Sequence, residues 1–347
     1  MAIRQSFNRY IFLVAFLPVS LFSLGEQASG CLYRNITIED GLRSNTVRNV
    51  VQDYRGFIWL GTDNGLCRYD GYNVEFYRIL QTGADQYIST ICPFPDGMLV
   101  GTSHGSFWFN YRTETFSRFI PQIKSEISSF AKDMSGNVWI ATKGQGGFCF
   151  DLRSHHVRHF AFRTARGEVS QIFADSEGQV WAVVKNECWT INRLNRGCHA
   201  FLPEHLHADF GVSGAKMLQT HNGTLWLGTW NEGLFCLKNG QVMHVLDPTL
   251  TGTGRHIHTL VEMPDDQIYM GCDDGVIVYN TRTGKWNRLT FQGDDMNSID
   301  GRFVYSILRD REGGVWTGTF YGGVKYVSPM GRRFSGYTNG RFGFRGY

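Results

Sequence analysis

A short phrase returns seven times along this chain, and the repeat constrains the fold more than any other feature of the sequence. Its clearest copy contains Asp53, Gly56 and the run Trp59-Leu60-Gly61-Thr62. The other copies share a short apolar run, and they centre on Val100, Trp139, Trp181, Trp226, Tyr269 and Trp316. The copies recur about every 40–45 residues, which is the length of one four-stranded propeller blade.

The runs within each repeat indicate strands. They are short, rich in β-branched and aromatic residues, and interrupted by Gly, Asp and Asn, whereas a helical array would show apolar residues at three-to-four spacing. The first unit divides into predicted strands at 47–52, 57–62, 66–70 and 74–78, which we name a to d from the central axis outwards. The sequence therefore predicts an all-β fold, a seven-bladed β-propeller of four-stranded antiparallel blades, with residues 31–347 as one domain.

The ring is expected to close, since an open array would expose sheet edges. Residues 32–38 precede the first blade and are expected to add a rim strand to the seventh blade. Residues 334–337 also have the pattern of that rim strand, so two segments compete for one position. The strand-b tryptophans, Trp59 among them, are expected to pack between neighbouring blades.

The N-terminus has the pattern of an export signal. Arg4 and Arg9 precede an apolar stretch that ends near Leu24 and is too short for a comfortable membrane span. We therefore expect residues 1–30 to be a signal peptide and the mature protein to lie in the periplasm. Small residues before Cys31 fit ordinary cleavage, which we favour, or a lipoprotein site with an acylated Cys31. No later apolar run of about 20 residues predicts a membrane helix.

Charge and cysteine content disfavour some functions. The net charge of +3 is small and no block of Lys or Arg stands out, so nucleic-acid binding is disfavoured. No Cys-x-x-Cys pair occurs, which excludes a zinc knuckle or a thioredoxin-like motif. Cys188 and Cys198 flank a predicted hairpin and are expected to pair in an oxidising compartment.

Motifs for catalysis or metal binding are scarce. The sequence contains no Gly-x-Ser-x-Gly elbow, no His-Glu-x-x-His site and no phosphate-binding loop. His256 and His258 have the spacing of metal ligands on a strand, but no acidic residue or cysteine nearby completes a site. Asp273-Asp274 is better explained by turn chemistry than by calcium binding. We therefore predict no catalytic residue, no metal and no cofactor.

Residues 39–47, 52–62 and 65–71 closely resemble the two-component regulator propeller repeat, and the resemblance extends from about residue 33 to the end of the chain. That repeat builds the periplasmic sensors of hybrid two-component systems, with histidine kinase and response-regulator parts, in Bacteroides-type bacteria. The resemblance implies the N-terminal sensor propeller of such a phosphorelay, whose ligands are oligosaccharides. A second propeller, a β-sandwich, a membrane helix and the kinase follow in that family, and none is found in this sequence.

Three functions remain open. The resemblance favours a non-enzymatic sensing module whose partners are an oligosaccharide and a second propeller or a homodimer partner. Membrane contact is then expected only through downstream segments or a lipid on Cys31. The alternatives are a propeller lyase resembling the streptogramin lyases, for which His104 or Glu232 would be the base, and a stand-alone protein-interaction propeller.

The two faces of the propeller differ in a way that predicts the ligand site. The a–b turns share an Asp-x-x-Gly pattern, as in Asp53 to Gly56, whereas the b–c tips differ from blade to blade. Variable tips on a fixed scaffold suit recognition, and sugars need flat aromatics beside hydrogen-bonding groups. The predicted platforms are Trp230, Phe320 and Tyr321, and the predicted polar partners are Asn64, His104, Lys143, Gln145, Asn231, Glu232 and Arg302. Lys143 and Arg302 would suit an acidic sugar.

Overall fold

Seven four-stranded antiparallel sheets form the blades of one propeller, so the predicted fold is confirmed. The computed structural model describes residues 33–79, 87–162, 167–184, 187–191, 198–200, 216–238, 241–252, 254–289 and 303–329. Within these residues the innermost strands of successive blades contact each other in order, and the last contacts the first. The innermost strands therefore surround the central axis as a closed ring.

Each blade runs from strand a at the axis to strand d at the rim. The first three blades consist of β2 (Val47–Gln52), β3 (Ile58–Thr62), β4 (Gly65–Tyr69) and β5 (Val74–Tyr77); β6 (Ile88–Pro93), β7 (Gly97–Thr102), β8 (Gly105–Asn110) and β9 (Thr115–Arg118); and β10 (Ile127–Lys132), β11 (Asn137–Thr142), β12 (Gly147–Asp151) and β13 (Val157–Phe160). The next three consist of β14 (Val169–Ala174), β15 (Val180–Val184), β16 (Glu187–Ile191) and β17 (Cys198–Ala200); β18 (Lys216–Gln219), β19 (Leu225–Gly228), β20 (Leu234–Lys238) and β21 (Gln241–Leu246); and β22 (Thr259–Met263), β23 (Gln267–Cys272), β24 (Gly275–Asn280) and β25 (Trp286–Leu289).

The seventh blade is built from both ends of the described chain. Its strands are β26 (Val304–Arg309), β27 (Val315–Thr319), β28 (Val324–Val327) and, at the rim, β1 (Tyr33–Ile36). Two short helical turns lie in the connections, a 3₁₀ turn at Ile38–Asp40 and α1 at Pro248–Thr251.

The closing strand β1 pairs antiparallel with β28, which confirms the rim strand predicted within residues 32–38. The competing segment, 334–337, lies outside the described residues. Arg34 in β1 also reaches the first blade, where it donates hydrogen bonds to the Tyr69 hydroxyl and to the Gly71 carbonyl (2.9 Å). The closing strand is therefore held by the last blade and the first.

The strand-b tryptophans pack between blades, as predicted. Trp59 is fully buried in one cluster with Ile88 and Phe109 of the second blade. Its indole Nε1 also donates a 2.9 Å hydrogen bond to Asp53 Oδ2, while Asp53 Oδ1 accepts the backbone N–H of Arg55. One carboxylate thus caps the a–b turn and holds the indole, which explains why Asp and Trp recur together.

The same indole bond recurs in other blades. The equivalent pairs are Trp139–Asp133 (2.8 Å), Trp181–Asp175 (2.8 Å), Trp316–Asp310 (2.8 Å) and Trp226–Thr220 (3.1 Å). In the fifth blade a threonine hydroxyl takes the place of the carboxylate. The residues that recur in the a–b turns therefore have a structural role within each blade.

The predicted disulfide between Cys188 and Cys198 is wrong. Cys188 is buried with a free thiol, and burial raises its pKa to about 12. The register of β16 and β17 places Ile191, rather than Cys188, opposite Cys198, because β16 continues for three residues beyond Cys188. Within the described residues, no helix is long and apolar enough to cross a membrane. The predicted signal peptide lies outside them.

Candidate ligand site at the tip face

Backbone hydrogen bonds join the tips to the segments that lead into neighbouring innermost strands. His256, which leads into the sixth blade, donates its N–H to the Trp230 carbonyl at the tip of the fifth (2.6 Å). Phe303, which leads into the seventh blade, donates to the Asp273 carbonyl at the tip of the sixth (2.8 Å). Both donors have a left-handed backbone, with φ of 52° and 57°, which non-glycine residues adopt only where their surroundings fix it. Adjacent blades therefore hold these tips in place.

Trp230 covers a histidine–aspartate cluster between the fifth and sixth blades. Its ring stacks on His256 with centroids 4.2 Å apart and an interplanar angle of 22°, and it meets His258 edge-on at 5.2 Å. His256 Nδ1 bonds to Asp273 Oδ2, and His258 Nε2 lies 2.6 Å from Asp273 Oδ1. One carboxylate thus receives both imidazoles, each on its own oxygen.

The sequence prediction did not place Asp273 beside the His256–His258 pair, although its carboxylate contacts both imidazoles. Asp273 follows the antiparallel pair β22–β23, and this pairing returns the tip beside the residues that precede β22. The contact with His258 spans 15 residues of sequence, beyond the range in which neighbours are sought along a strand. Within the described part of the chain, no group of three His, Cys, Asp or Glu side chains is arranged to hold a metal ion.

His258 is kept neutral by its surroundings. Its side chain is 7% exposed, and burial is the main cause that lowers its pKa. The Asp273 carboxylate opposes this, while the charges of Lys216 and His256 lower the pKa further. At pH 7 the imidazole is therefore uncharged and has one N–H to donate.

Ring contacts continue from His258 into the seventh blade. Tyr305 lies against His258 with centroids 4.5 Å apart, and Phe320 is edge-on to Tyr305 at 5.6 Å. Tyr321 contacts Phe320 at 4.2 Å and is 62% exposed. We name the connected rings the aromatic arc: Trp230, His256, His258, Tyr305, Phe320 and Tyr321. The arc spans the fifth to the seventh blade.

Arg48 of the first blade borders the far side of this arc. Its guanidinium lies 5.8 Å from the Tyr305 ring and 4.7 Å from the Tyr87 ring, and it pairs with the Asp63 carboxylate. Burial, together with a hydrogen bond to Glu126, raises the pKa of Tyr87, so that its phenol stays protonated. Rings of the seventh and second blades thus flank a neutralised arginine.

The structure brings the three predicted aromatic platforms into one arc, but it uses two predicted polar partners to hold a loop. Gln145 Oε1 accepts the backbone N–H groups of Lys124 (2.8 Å) and Ser125 (2.9 Å). Lys143 Nζ lies 2.7 Å from a carboxylate oxygen of Glu126. These two side chains are therefore engaged within the third blade.

The other predicted partners are dispersed. Asn64, His104 and Asn231 are exposed at the tips of the first, second and fifth blades, and Glu232 is half-buried beside Asn231. Arg302 lies outside the described residues. The tip face thus presents polar side chains around the arc rather than one closed pocket.

Arg48, His258 and Tyr305 are site residues that the sequence prediction missed. Arg48 and Tyr305 fall where the register of β2–β3 and β26–β27 shifts, and such a bulge re-aims a side chain. The residues at this bulge in three other blades are Ser89, Ser128 and Ser170. Aligning the repeats on the start of strand a would have shown two large side chains where serine is usual.

The closed ring of seven sheets defines a seven-bladed β-propeller whose tips differ from blade to blade. Residues 41–64 and 298–321 match the family model for the two component regulator propeller, so the chain carries this repeat, as the resemblance predicted. Histidine kinase P4 of Formosa agariphila is similar, with 35% identity over 68 residues, which cover 20% of this chain and 5% of that protein.

Solved structures share the fold. An extracellular domain from B. thetaiotaomicron, described as part of a hybrid two component system, superposes with a TM-score of 0.73 at 21% identity, over 85% of this chain and 39% of that one. Virginiamycin B lyase from Staphylococcus aureus superposes with a TM-score of 0.65 at 12% identity, over 85% of this chain and 98% of the lyase. The chain thus spans about two fifths of the extracellular domain and nearly all of the lyase.

Proposed function

We propose that this chain is an exported, ligand-sensing propeller of a hybrid two-component system and that it recognises an oligosaccharide on its tip face. The aromatic arc is the observation that carries this proposal. A sugar presents apolar ring faces and hydroxyls, and the arc places exposed aromatic surface beside imidazole and carboxylate groups. The family match and the fold shared with an extracellular domain of a two component system support the sensing role.

The arc is assembled from three blades, and this predicts a readout. A ligand that touches Trp230 and Tyr321 contacts the fifth and seventh blades together, so it binds the folded ring and not the unfolded chain. Binding therefore raises the melting temperature, by the equivalent of about 2.7 kcal/mol when the ligand is at 100 times its Kd.

The test is a thermal-shift screen against a panel of oligosaccharides, followed by calorimetry on the hits. We expect Trp230→Ala and Tyr321→Ala to abolish the ligand-induced shift. The unliganded melting temperature should stay nearly unchanged in Tyr321→Ala, whose ring is exposed, and should fall in Trp230→Ala, which loses the stack on His256. Tyr54→Ala is the matched control, because Tyr54 is similarly exposed (56%) but lies on the a–b turn of the first blade. Binding that survives both tip substitutions would rule out this site.

The rival occupant of the tip face is a second propeller or a second copy of this chain. Sedimentation of the wild type and of Tyr321→Ala distinguishes the two hypotheses. If Tyr321→Ala dissociates a wild-type oligomer and no saccharide binds, the tip face is a protein interface and the ligand proposal is wrong.

A lyase is the second candidate, and the His258–Asp273 pair in a lyase-like fold is the observation that favours it. A neutral, buried imidazole bonded to a carboxylate is a competent general base. Incubation with a streptogramin B antibiotic, followed by chromatography, tests the activity. Conversion of the antibiotic that is lost in His258→Asn would replace the sensor proposal by an enzymatic one.

Export is proposed with removal of residues 1–30. Intact-mass measurement on protein from the periplasmic fraction checks the cleavage site. A diacylglyceryl group on Cys31 would instead show a lipoprotein, and an intact Met1 would contradict cleavage.

A further inference from the structure

One position recurs in all seven innermost strands and is charged in only one of them. It stands opposite the residue that takes the place of Gly61 in each repeat, as Asn49 stands opposite Gly61 and Lys216 opposite Gly228. The residues at this position are Asn49, Thr90, Ser129, Gln171, Lys216, Thr259 and Ser306. Lys216, in the fifth blade, is the exception among neutral polar side chains.

In other blades this position ties one innermost strand to the next. Ser129 Oγ accepts the N–H of Ile172 in the fourth blade (2.8 Å), and Ser306 Oγ accepts the N–H of Val50 in the first (3.0 Å). An ammonium group has no acceptor lone pair and cannot receive such an N–H. Lys216 therefore does not perform the linking role of its counterparts.

Lys216 also has no counter-ion within the residues that the structure describes. The neighbouring cations do, since Arg48 pairs with Asp63, and Lys143 lies 2.7 Å from Glu126. Among the residues that the structure describes, the charge that acts on Lys216 is that of Lys143, a like charge. Holding an ammonium in a desolvated position without a carboxylate is unfavourable, so an anion supplied from outside would be favoured there.

Lys216 lies near other basic side chains, and it remains accessible to a ligand. Burial and, to a lesser extent, Lys143 lower its pKa to about 8, and Lys216 in turn lowers the pKa of His258 in the next blade. At pH 7 most of the ammonium is protonated. The side chain is half-buried rather than sealed, so that a ligand group at the mouth of the ring can reach it. The nearest carboxylate on the His258 side, Asp273, already receives two imidazoles.

We propose that Lys216 binds the anionic group, a carboxylate or a sulfate ester, of an acidic oligosaccharide whose rings lie on the aromatic arc. The inference rests on the proposed function and names the class of its ligand. The charge of Lys216 acts on His258, a member of the arc, and the innermost strands β18 and β22 contact each other, so one ligand can stack on the arc and reach Lys216. Lys143 was the predicted partner for an acidic sugar, but Glu126 neutralises it, and the role passes to Lys216.

The test uses the whole chain on an array of neutral, uronate-containing and sulfated glycans, with calorimetry on those that bind. We expect acidic glycans to bind in preference to their neutral counterparts. Lys216→Met should weaken that binding by about 10- to 100-fold, and Lys216→Arg should retain most of it. Lys132→Met is the matched control, because Lys132 lies at the opposite end of an innermost strand, over the Phe94 ring. Carboxyl-reduced and desulfated forms of the bound glycan distinguish the two anions.

The pH dependence gives a second readout. Wild-type affinity should fall as the pH rises from 7 to 9, because the ammonium loses its proton near pH 8 while His258 is already neutral. Lys216→Arg should bind with little change over this range, which separates Lys216 from Lys143. Without ligand, Lys216→Met should melt at or above the wild-type temperature, since an unpaired charge is removed.

The outcomes are distinct. Equal binding of neutral and acidic glycans, or an unaltered affinity in Lys216→Met, overturns the anion site and leaves the sensor proposal standing. Failure to bind any glycan on the array contradicts the proposed function itself and the inference with it.

Discussion

Replacement of Asp133 by asparagine is expected to destabilise the propeller far more than its nearly identical shape suggests. Asp133 Oδ1 accepts the backbone N–H groups of Ser135 (2.8 Å) and Asn137 (3.0 Å). Oδ2 accepts from the Asn137 amide (2.9 Å) and from the Trp139 indole (2.8 Å). An asparagine at 133 keeps the first pair of bonds but presents an NH₂ group to the indole N–H.

The size of the destabilisation follows from the hydrogen-bond donors that the substitution leaves without an acceptor. The Asn137 amide can turn its oxygen towards the new NH₂, but the indole is donor-only and Trp139 is 0% exposed. Losing a hydrogen bond to a charged acceptor costs about 1.5–3 kcal/mol, and opposing two donors adds to this, so we expect about 2–4 kcal/mol. For a chain of this size that corresponds to a fall in melting temperature on the order of 3–6 °C.

Calorimetry on a set of variants tests the reasoning. Thr220→Val is the comparison in the fifth blade, because it removes the 3.1 Å bond from the Trp226 indole and the hydroxyl's own bond to Asn222 Oδ1 or to the Thr224 carbonyl. All of these bonds have neutral acceptors, so its effect should be smaller. A double-mutant cycle between Asp133→Asn and Trp139→Phe should give a coupling of about 1.5–3 kcal/mol. Phenylalanine has no N–H group that the asparagine could leave without an acceptor. A melting temperature for Asp133→Asn within about 1 °C of wild type, or an absence of coupling, would refute the account.

Three further predictions follow. Arg34→Ala should cost about 1 kcal/mol and speed hydrogen exchange in β1 and β28, because it removes the link to Tyr69 and Gly71; unchanged exchange would contradict the role in closure. The hydrogen bond that the His221 ring donates to the Glu262 carboxylate raises the pKa of His221, so this pair stabilises the fold below about pH 6.5 and ceases to do so as the pH rises through the raised value; His221→Gln should lower the melting temperature at pH 5.5 but not at pH 8.5. Gly61→Ala should cost about 1–3 kcal/mol in calorimetry, because the added Cβ would lie 2.8 Å from Ile88 Cγ2 of the next blade.

The fold was predictable because its determinants repeat. Every blade supplies its own strand pattern, and the Asp–Trp pair is separated by six residues in the sequence, as in Asp53 and Trp59. Strand β1 was also predictable, since a closed ring leaves one rim position for a segment before the first blade. Turn chemistry, strand alternation and inter-blade tryptophans all act at short range, so one sequence reveals them.

The site was predictable only in part because its contacts cross between blades. Trp230 and Tyr321 were found as aromatics at tips, outside the repeated position. The stacking of Trp230 on His256 depends on two blades meeting, and the shared Asp273 depends on a tip folding back on its own strand. The orientation of Tyr305 depends on a register shift that no residue type encodes. These contacts form only when the blades assemble into the ring, so the sequence of one blade does not reveal them.

The two faces of the propeller are held together differently, and this is why we propose the tips as the recognition face. On the turn face the structure is held by side chains, since Asp53 must be a carboxylate to cap its turn and hold an indole. On the tip face three of the inter-blade bonds are accepted by main-chain carbonyls, those of Trp230, Asp273 and Phe320, which any residue supplies. A substitution at a tip can therefore change what is bound without disturbing the ring. The same logic allows Lys216 to replace the neutral residues of its row in a single blade.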